Sequence, residues 1–192
     1  MSQHVCPWWL GYLLVSPLRR LIEGPTGILA PHVGEGMTVL EPGPGMGFFT
    51  LDLIRMVGDT GRVIVVELQP RMLQALQRRA AKAGLSDRLD ARLAQPNSLG
   101  VRDLKGQVDF VFAFHVVHEL PDAAAFFAEA FEALKPTGTL LLAEPAGHVA
   151  LAQYESELQA ASAAGLTVKG HPTIRRSRAA LLAKSAQGES KR

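Results

Sequence analysis

Two glutamates and three glycines have the types and spacing to bind a nucleoside. Glu41 comes just before a glycine-rich segment that contains Gly43, Gly45 and Gly47, and Glu67 ends the next apolar run. Glycines permit a tight turn and a close approach of the backbone to a ligand. An acid at the end of the second strand suits two ribose hydroxyls. The spacing therefore predicts a site for an adenosine-type nucleotide or nucleoside.

The position of Glu41 predicts the charge of that ligand. A carboxylate beside the loop would repel a diphosphate, because close like charges cost free energy in a low-dielectric cleft. The same carboxylate would tolerate the ammonium and sulfonium of S-adenosylmethionine. The third glycine also comes one residue earlier than in the dinucleotide-binding pattern. A nicotinamide oxidoreductase is therefore a disfavoured alternative.

Short strands and helices alternate along the chain, which is typical of βαβ units and a parallel sheet. The predicted strands span 37–41, 62–67, 89–94, 108–114 and 139–144, with helices after the glycine segment and over 69–83, 122–134 and 149–164. A turn over 135–138 is expected between the helix ending at 134 and the next strand. Two last strands, 166–170 and 177–184, are joined by a loop too short for a helical crossover, so they should pair antiparallel.

Three segments resemble, in order, the motifs of class I S-adenosylmethionine-dependent methyltransferases: 39–47, 61–67 and 134–140. The small-molecule branch, which includes ubiquinone-biosynthesis and arsenite methyltransferases, is the most similar. The resemblance implies an α/β fold, a Rossmann-like three-layer sandwich. Its seven-stranded, mostly parallel sheet would have the order 3-2-1-4-5-7-6, with strand 7 antiparallel.

The resemblance also implies a role for each residue of the glycine segment. Gly43, Gly45 and Gly47 would border the methionine part of S-adenosylmethionine. Glu41 would lie near its amino group, and Glu67 would hold the ribose. The demethylated product, S-adenosylhomocysteine, would occupy the same site.

For the rest of the cofactor, the resemblance implies contacts from three further segments. Leu68 would lie against the adenine, and Phe114 would pass close to the methionine and the methyl group. The family usually has an acid after strand three for the adenine amine. Gln95 stands in that place here, with Asn97 as its alternative, and an amide oxygen can accept from an amine.

Candidate catalytic groups follow strands four and five. His115 ends strand four and faces the cleft in this architecture, so it is a candidate general base. Glu144, or His148 after it, could orient or deprotonate an acceptor; the alternatives are a loop carboxylate and a surface histidine. His118 is interpreted as a helix-start or packing residue. Although His115, His118 and the adjacent Glu119 invite a metal interpretation, no cysteine lies nearby and we predict no metal.

The predicted activity is methyl transfer to a small-molecule acceptor by in-line displacement. A nucleic-acid methyltransferase and a non-catalytic S-adenosylmethionine-binding protein are the alternatives. Nucleic acid is disfavoured because the net charge is only +2 and the sequence after Phe114 lacks the "(D/N)PP(Y/F)" tetrad of amine-methylating enzymes. Cytosine-C5 enzymes need a catalytic cysteine, and the single cysteine, Cys6, precedes the core.

We predict three parts: an N-terminal helical or lid segment (1–30), an S-adenosylmethionine-binding domain (31–185) and a polar tail (186–192). Trp8 and Trp9 should pack on something, either as a lid over the acceptor pocket or as a helix or dimer contact. A homodimer is therefore an expectation. No stretch is long enough to span a bilayer, and a single cysteine fits a cytoplasmic location.

A basic set lies near the last two strands: Arg175, Arg176, Arg178 and Lys184. Alternation along a strand would put Arg176 and Arg178 on one face. A solvated face is the default interpretation, and an anionic or nucleic-acid substrate is the alternative.

Overall fold

Seven strands form one sheet in a computed structural model, which describes residues 24–95 and 98–185. They are β1 (Thr38–Pro42), β2 (Arg62–Glu67), β3 (Leu89–Leu93), β4 (Val108–Phe114), β5 (Leu134–Pro145), β6 (Leu166–Gly170) and β7 (Ser177–Lys184). Their spatial order is β3-β2-β1-β4-β5-β7-β6. All neighbours pair parallel except β7, which is antiparallel to β5 and β6. The predicted order and the reversal of strand 7 are confirmed.

Five α-helices cover the two faces of this sheet in the described part of the chain. They are α1 (Pro25–Leu29), α2 (Thr50–Met56), α3 (Pro70–Lys82), α4 (Ala123–Ala133) and α5 (Leu151–Ala163). Apolar side chains of α1, α2 and α3 pack in one core, and those of α4 and α5 in the other. The molecule therefore has the three layers that the sequence predicts.

The alternation along β2 shows why these strands form a sheet that is covered on both faces. Val63 and Val65 belong to the core under α2 and α3, whereas Ile64 and Val66 belong to the core under α4 and α5. Successive side chains of a strand point to opposite faces. A strand buried on both faces needs an uninterrupted apolar run, as β2 has.

The chain between α4 and β5 differs from the prediction. The prediction of a turn over 135–138 is wrong, because β5 begins at Leu134, immediately after α4 ends. Leu134 pairs with Val108, and the pairing then shifts register before Phe110. Gly138 lies at this irregularity, where a β-carbon would come within 2.9 Å of the Val108 carbonyl oxygen. The backbone thus stays extended through a bulge instead of turning.

Parallel strands bring their carboxyl ends to one edge of the sheet, where ligands bind in open α/β sheets. Glu41, Glu67, Phe114 and Glu144 all stand at or within one residue of such an end. The sheet therefore gathers four of the predicted site residues at the same edge.

Several predictions concern residues that the structure does not describe. The tail 186–192 and most of the N-terminal segment, including Cys6, Trp8 and Trp9, lie outside the described residues. The lid, the homodimer and the cytoplasmic location stay predictions. Among the helices of residues 24–95 and 98–185, none has the length and apolarity that crossing a bilayer requires.

Candidate functional site

A cavity of about 380 Å³ opens at the carboxyl edge of the parallel strands. We call it the acidic cavity, for the charges described below. Most of the predicted site residues line it: Glu41, Gly43, Gly45, Glu67, Leu68, Gln95, Phe114, His115 and His148. Gly47 lies next to this wall in the same loop, and Asn97 is outside the described residues.

The glycine loop between β1 and α2 needs its glycines for two different reasons. Gly43 has φ +65°, and a β-carbon there would lie 2.5 Å from Cγ2 of Val116. Gly47 has φ +80°, and its β-carbon would lie 2.9 Å from Cγ of Leu76 on α3. Gly43 thus brings the loop close to the end of β4 beside the cavity, whereas Gly47 lets α3 pack against the loop.

Glu67 ties the end of β2 to the glycine loop. Its Oε2 accepts the Gly45 N–H at 3.0 Å, and its Oε1 accepts the Gln69 N–H at 2.9 Å. Burial raises the pKa of Glu67, and the backbone hydrogen bonds from Gln69 and Gly45 lower it; the net direction is upward. A carboxylate has about four lone-pair sites, so Glu67 can still accept from a hydroxyl of a ligand.

Glu41 is the most deeply buried acid of the cavity wall, at 3% exposure. Its Oε2 accepts the Thr50 hydroxyl at 2.6 Å. Burial is the main cause that raises the pKa of Glu41 to about 8. The hydrogen bond from Thr50 lowers this pKa, and the charge of Glu67 raises it. Glu41 is therefore mostly protonated at pH 7, and a cation beside it would favour its ionised form.

Arg79 on α3 holds the far side of the glycine loop, and the sequence analysis did not identify it. Its guanidinium donates to the carbonyl oxygens of Met46 and of Gly47, the latter at 2.9 Å. The backbone is thus fixed from outside the cavity. A charged side chain on the buried face of a helix is the only sequence signal that could have pointed to this contact.

Charge distinguishes this cavity from a phosphate site. Five acids line it: Glu41, Glu67, Glu119, Asp122 and Glu129. Among the residues that the structure describes, no lysine or arginine lines it. Phosphate sites use lysine, arginine and free backbone N–H groups. The cavity therefore favours a cationic ligand, as the position of Glu41 predicts.

Glu129 closes the wall near Gln95, where the resemblance implies the adenine. Its carboxylate accepts the Ser98 hydroxyl at 3.2 Å and the Leu99 N–H at 3.3 Å. The Ser98 N–H in turn donates to the Gln95 carbonyl oxygen at 3.2 Å. Sequence analysis missed Glu129 because it comes from α4, far along the chain from the loop that it holds.

His115 lies where β4 ends, in a backbone conformation that non-glycine residues rarely adopt, with φ +57°. Its Nε2 is 2.8 Å from the Ser177 hydroxyl oxygen at the start of β7. The ring stacks on Phe114 with 4.1 Å between centroids. Such backbone strain is frequent at functional sites. The candidate base thus contacts residues of both β4 and β7.

Glu144 does not line the cavity; it lies fully buried behind the wall. It accepts the Val117 N–H at 2.9 Å, and its Oε2 is 2.5 Å from Nδ1 of His118. His118, interpreted from sequence as a packing residue, lines the cavity instead. The adjacency of β4 and β5 was the available signal, because it places an acid near the end of β5 beside a histidine that follows β4.

Two opposing effects act on the pKa of the His118 imidazole. Burial lowers its pKa, the hydrogen bond and charge of Glu144 raise it, and the net direction is upward. His148 contacts the same ring edge-on, at 5.3 Å between centroids. A buried carboxylate on Nδ1 fixes the tautomer and leaves Nε2 for other partners.

Within the described residues, no cluster of three or more metal-binding side chains is present.

Comparisons with known proteins show the family of this chain. The chain matches a family model described as "Methyltransferase domain" over residues 34–184. A demethylmenaquinone methyltransferase of Lactococcus lactis is 30% identical over 111 residues, which are 57% of this chain and 42% of that protein. An arsenite methyltransferase of Halobacterium salinarum is 29% identical over 112 residues, which are 58% of this chain and 28% of that protein. The chain spans less than half the length of these relatives.

A solved structure with a similar fold is that of a SAM-dependent methyltransferase from Aquifex aeolicus. Its TM-score is 0.82 at 23% identity, with 93% of this chain and 98% of that chain covered. At this identity the likeness concerns the fold.

Proposed function

The chain belongs to the methyltransferase-domain family, and from this premise we propose that it transfers the methyl group of S-adenosylmethionine to a small-molecule acceptor. The observation that carries the proposal is the charge of the cavity beside the glycine loop. Five carboxyl groups and, among the described residues, no lysine or arginine line it. S-adenosylmethionine brings an ammonium and a sulfonium, which this lining would attract.

Residues of the loop fit this cofactor in three respects. Gly43 leaves room where any β-carbon would meet Val116. Glu67 keeps lone pairs for the ribose hydroxyls while it holds Gly45. Glu41 would ionise beside the ammonium, which offsets the cost of burying that acid. The proposed cofactor-binding residues are unchanged: Glu41, Gly43, Gly45, Gly47, Glu67, Leu68, Gln95, Asn97 and Phe114.

When bound, S-adenosylmethionine supplies a methyl carbon to which the acceptor's lone pair bonds while the carbon–sulfur electron pair stays on sulfur. The protein would align the two reactants and exclude water. An acceptor that arrives protonated also needs a base. We propose His115 or His118 for that proton, because both line the cavity. Glu144 would act through His118 as a positioning residue, since it contacts Nδ1 of that ring.

The names of two relatives support a small-molecule acceptor. One is named for demethylmenaquinone and the other for arsenite, and neither name refers to a nucleic acid. The chain covers less than half of each of those proteins. We therefore propose only the class of its acceptor, a small molecule, and not the acceptor that either name gives.

Calorimetry of the full chain with S-adenosylmethionine, S-adenosylhomocysteine and NAD tests the proposal. We expect both sulfur nucleosides to bind at micromolar concentrations and NAD to bind far more weakly. Binding of NAD with no binding of either sulfur nucleoside at millimolar concentration would overturn it. A chain that binds both nucleosides but transfers no methyl group to any of a broad set of small nucleophiles would support the non-catalytic alternative.

A further inference from the structure

A second cavity of about 450 Å³ adjoins the acidic cavity. The two share Phe114 and His115 in their walls. α1 provides Gly27 and Ile28 on one side, and the connection between β6 and β7 provides residues 172–176 on the other. We call it the basic cavity. In-line displacement requires the acceptor next to the cofactor, and this cavity meets the acidic cavity at the proposed base, His115.

The basic cavity has the opposite charge from its neighbour. Arg175 and Arg176 line it, and no aspartate or glutamate does so among the described residues. Neither guanidinium forms a hydrogen bond or ion pair with any residue in 24–95 or 98–185. Arginine presents several donors in a planar fork that matches a carboxylate or a phosphate. Two unpaired guanidinium groups at one cavity therefore form a potential anion site.

The backbone at Arg176 gives an independent reason to assign it a function. The Ser177 N–H donates to the Ile174 carbonyl oxygen at 3.1 Å, so Arg175 and Arg176 are the central residues of a tight turn. Arg176 has φ +60°, a conformation that favours glycine at this turn position. An arginine there costs stability relative to glycine, and strained positions of this kind cluster at functional sites.

Most of the remaining lining is apolar, with His32, His115 and Thr173 as its polar side chains, and it indicates the chemistry of the ligand's body. Ile28, Pro172, Ile174 and Phe114 form much of the wall around the two arginines. We propose that the basic cavity binds the methyl acceptor, and that this acceptor is a small organic anion with an apolar or aromatic body. The proposal rests on the proposed methyl transfer and adds the chemical class of the substrate.

NMR of the full chain, with its isoleucine methyl groups labelled and S-adenosylhomocysteine saturating, tests this site. Ile28 and Ile174 line the basic cavity, whereas Ile54 and Ile64 are fully buried in the two cores and serve as internal references. The probes are benzoate, phenyl phosphate and the neutral benzamide. We expect at least one anion to shift the Ile28 and Ile174 methyl signals and to bind at least tenfold more tightly than benzamide. The better of the two anions identifies a carboxylate or a phosphate as the recognised group.

Three variants locate the charge that is responsible. Arg175→Gln and Arg176→Gly should each weaken anion binding about tenfold and leave benzamide unchanged. Lys169→Gln removes one exposed positive charge from β6, outside the cavity, and should change neither. Arg176→Gly should also keep or raise the melting temperature, because glycine relieves the strained φ. A merely structural Arg176 would instead lose stability in that variant.

Two results would overturn the inference. The first is benzamide binding as tightly as both anions, or no anion moving the Ile28 and Ile174 signals. The second is an anion affinity that falls equally in Lys169→Gln and in the two arginine variants. Either result obtained while S-adenosylhomocysteine still binds contradicts the acceptor class alone. Loss of S-adenosylhomocysteine binding in the unmodified chain contradicts the proposed function itself.

Discussion

The acidic and basic cavities lie side by side but are built in opposite ways. Glu41 and Glu67 are 3% and 6% exposed, and hydrogen bonds from Thr50 and from backbone N–H groups hold them. Arg175 and Arg176 are exposed on a turn. Buried charges need fixed partners, whereas exposed charges do not. Recognition of the cofactor is thus built into the strand ends, and recognition of the proposed acceptor depends on a surface connection.

The largest effect should come from the glycine loop, which lines the acidic cavity. Gly43→Ala adds a β-carbon 2.5 Å from Val116 at φ +65°. Overpacking costs about 1–3 kcal/mol and a left-handed alanine about 1–2 kcal/mol, so we expect S-adenosylhomocysteine affinity to fall about a hundredfold by calorimetry. Gly84→Ala is the matched control, because Gly84 has φ +69° and nothing within 4 Å. Equal losses of affinity in both variants would contradict the close approach as the cause.

A smaller loss should follow when the loop loses its carboxylate anchor. Glu67→Ala leaves the Gly45 and Gln69 N–H groups without their acceptor. Hydrogen bonds to charged groups contribute about 1.5–3 kcal/mol, so cofactor affinity should fall about thirtyfold. Glu67→Gln keeps one acceptor oxygen and should lose less. Calorimetry that ranks Glu67→Gln as the weaker binder of the two would contradict the anchoring role.

The buried acid of the same cavity should make cofactor binding depend on pH. Glu41 has a pKa of about 8 in the ligand-free protein, and its ionised form is the one that a cation prefers. Affinity for S-adenosylmethionine should therefore rise about fivefold between pH 7 and pH 8, with a proton released on binding. Calorimetry in buffers of different ionisation enthalpy measures that proton. Glu41→Gln should bind more weakly and lose this pH dependence.

Stability of the ligand-free chain should follow pH in the opposite direction. The pKa of Glu41 is raised on folding from 4.5 to about 8, so the folded chain holds a proton that the unfolded chain releases. The contribution of Glu41 to the free energy of unfolding is then full below pH 4.5 and is lost as the pH rises to about 8. Urea unfolding at several pH values should show a shallower fall for Glu41→Gln. Identical slopes for the two proteins would contradict a buried neutral Glu41.

The smallest expected effect concerns the pair behind the shared wall. Glu144→Gln removes the largest contribution that raises the pKa of His118, and it leaves the burial that lowers this pKa and the smaller charge effects of Glu119 and Glu157. An NMR titration should therefore find a lower imidazole pKa in the variant than in the unmodified chain. His148, which contacts the His118 ring, reports in the same experiment whether the wall stays folded. An unchanged His118 pKa in a folded variant would remove Glu144 from its positioning role.

Sequence reasoning succeeded where the local pattern and the chemistry coincide. The apolar run of β2 and the acid that ends it predict both the strand and Glu67 at the sheet edge, and the structure has both. The strand order was available because three motifs in order resemble one family. The loop chemistry was available because glycines and flanking acids are adjacent in the sequence.

Contacts between distant segments could not be predicted in the same way. Glu129 holds Ser98 across 31 positions, and Arg79 holds Gly47 across 32. Each depends on how a helix is rotated on the sheet, which composition and periodicity do not specify. The turn expected at 135–138 failed for a related reason, because the pairing of Leu134 with Val108 across strands keeps that segment extended.

The reversal of β7 has a consequence for how the activity of such a fold can change. A strand that runs antiparallel to its neighbour β5 has its beginning, and not its end, at the ligand edge. The connection that precedes β7 therefore lies at that edge, beside the loops that follow the parallel strands. Because it contains neither the glycine loop nor its anchoring acids, its length and charge are free to vary while the cofactor machinery stays intact. Exchanging residues 171–176 between relatives should redirect which compound is methylated without altering what donates the methyl group.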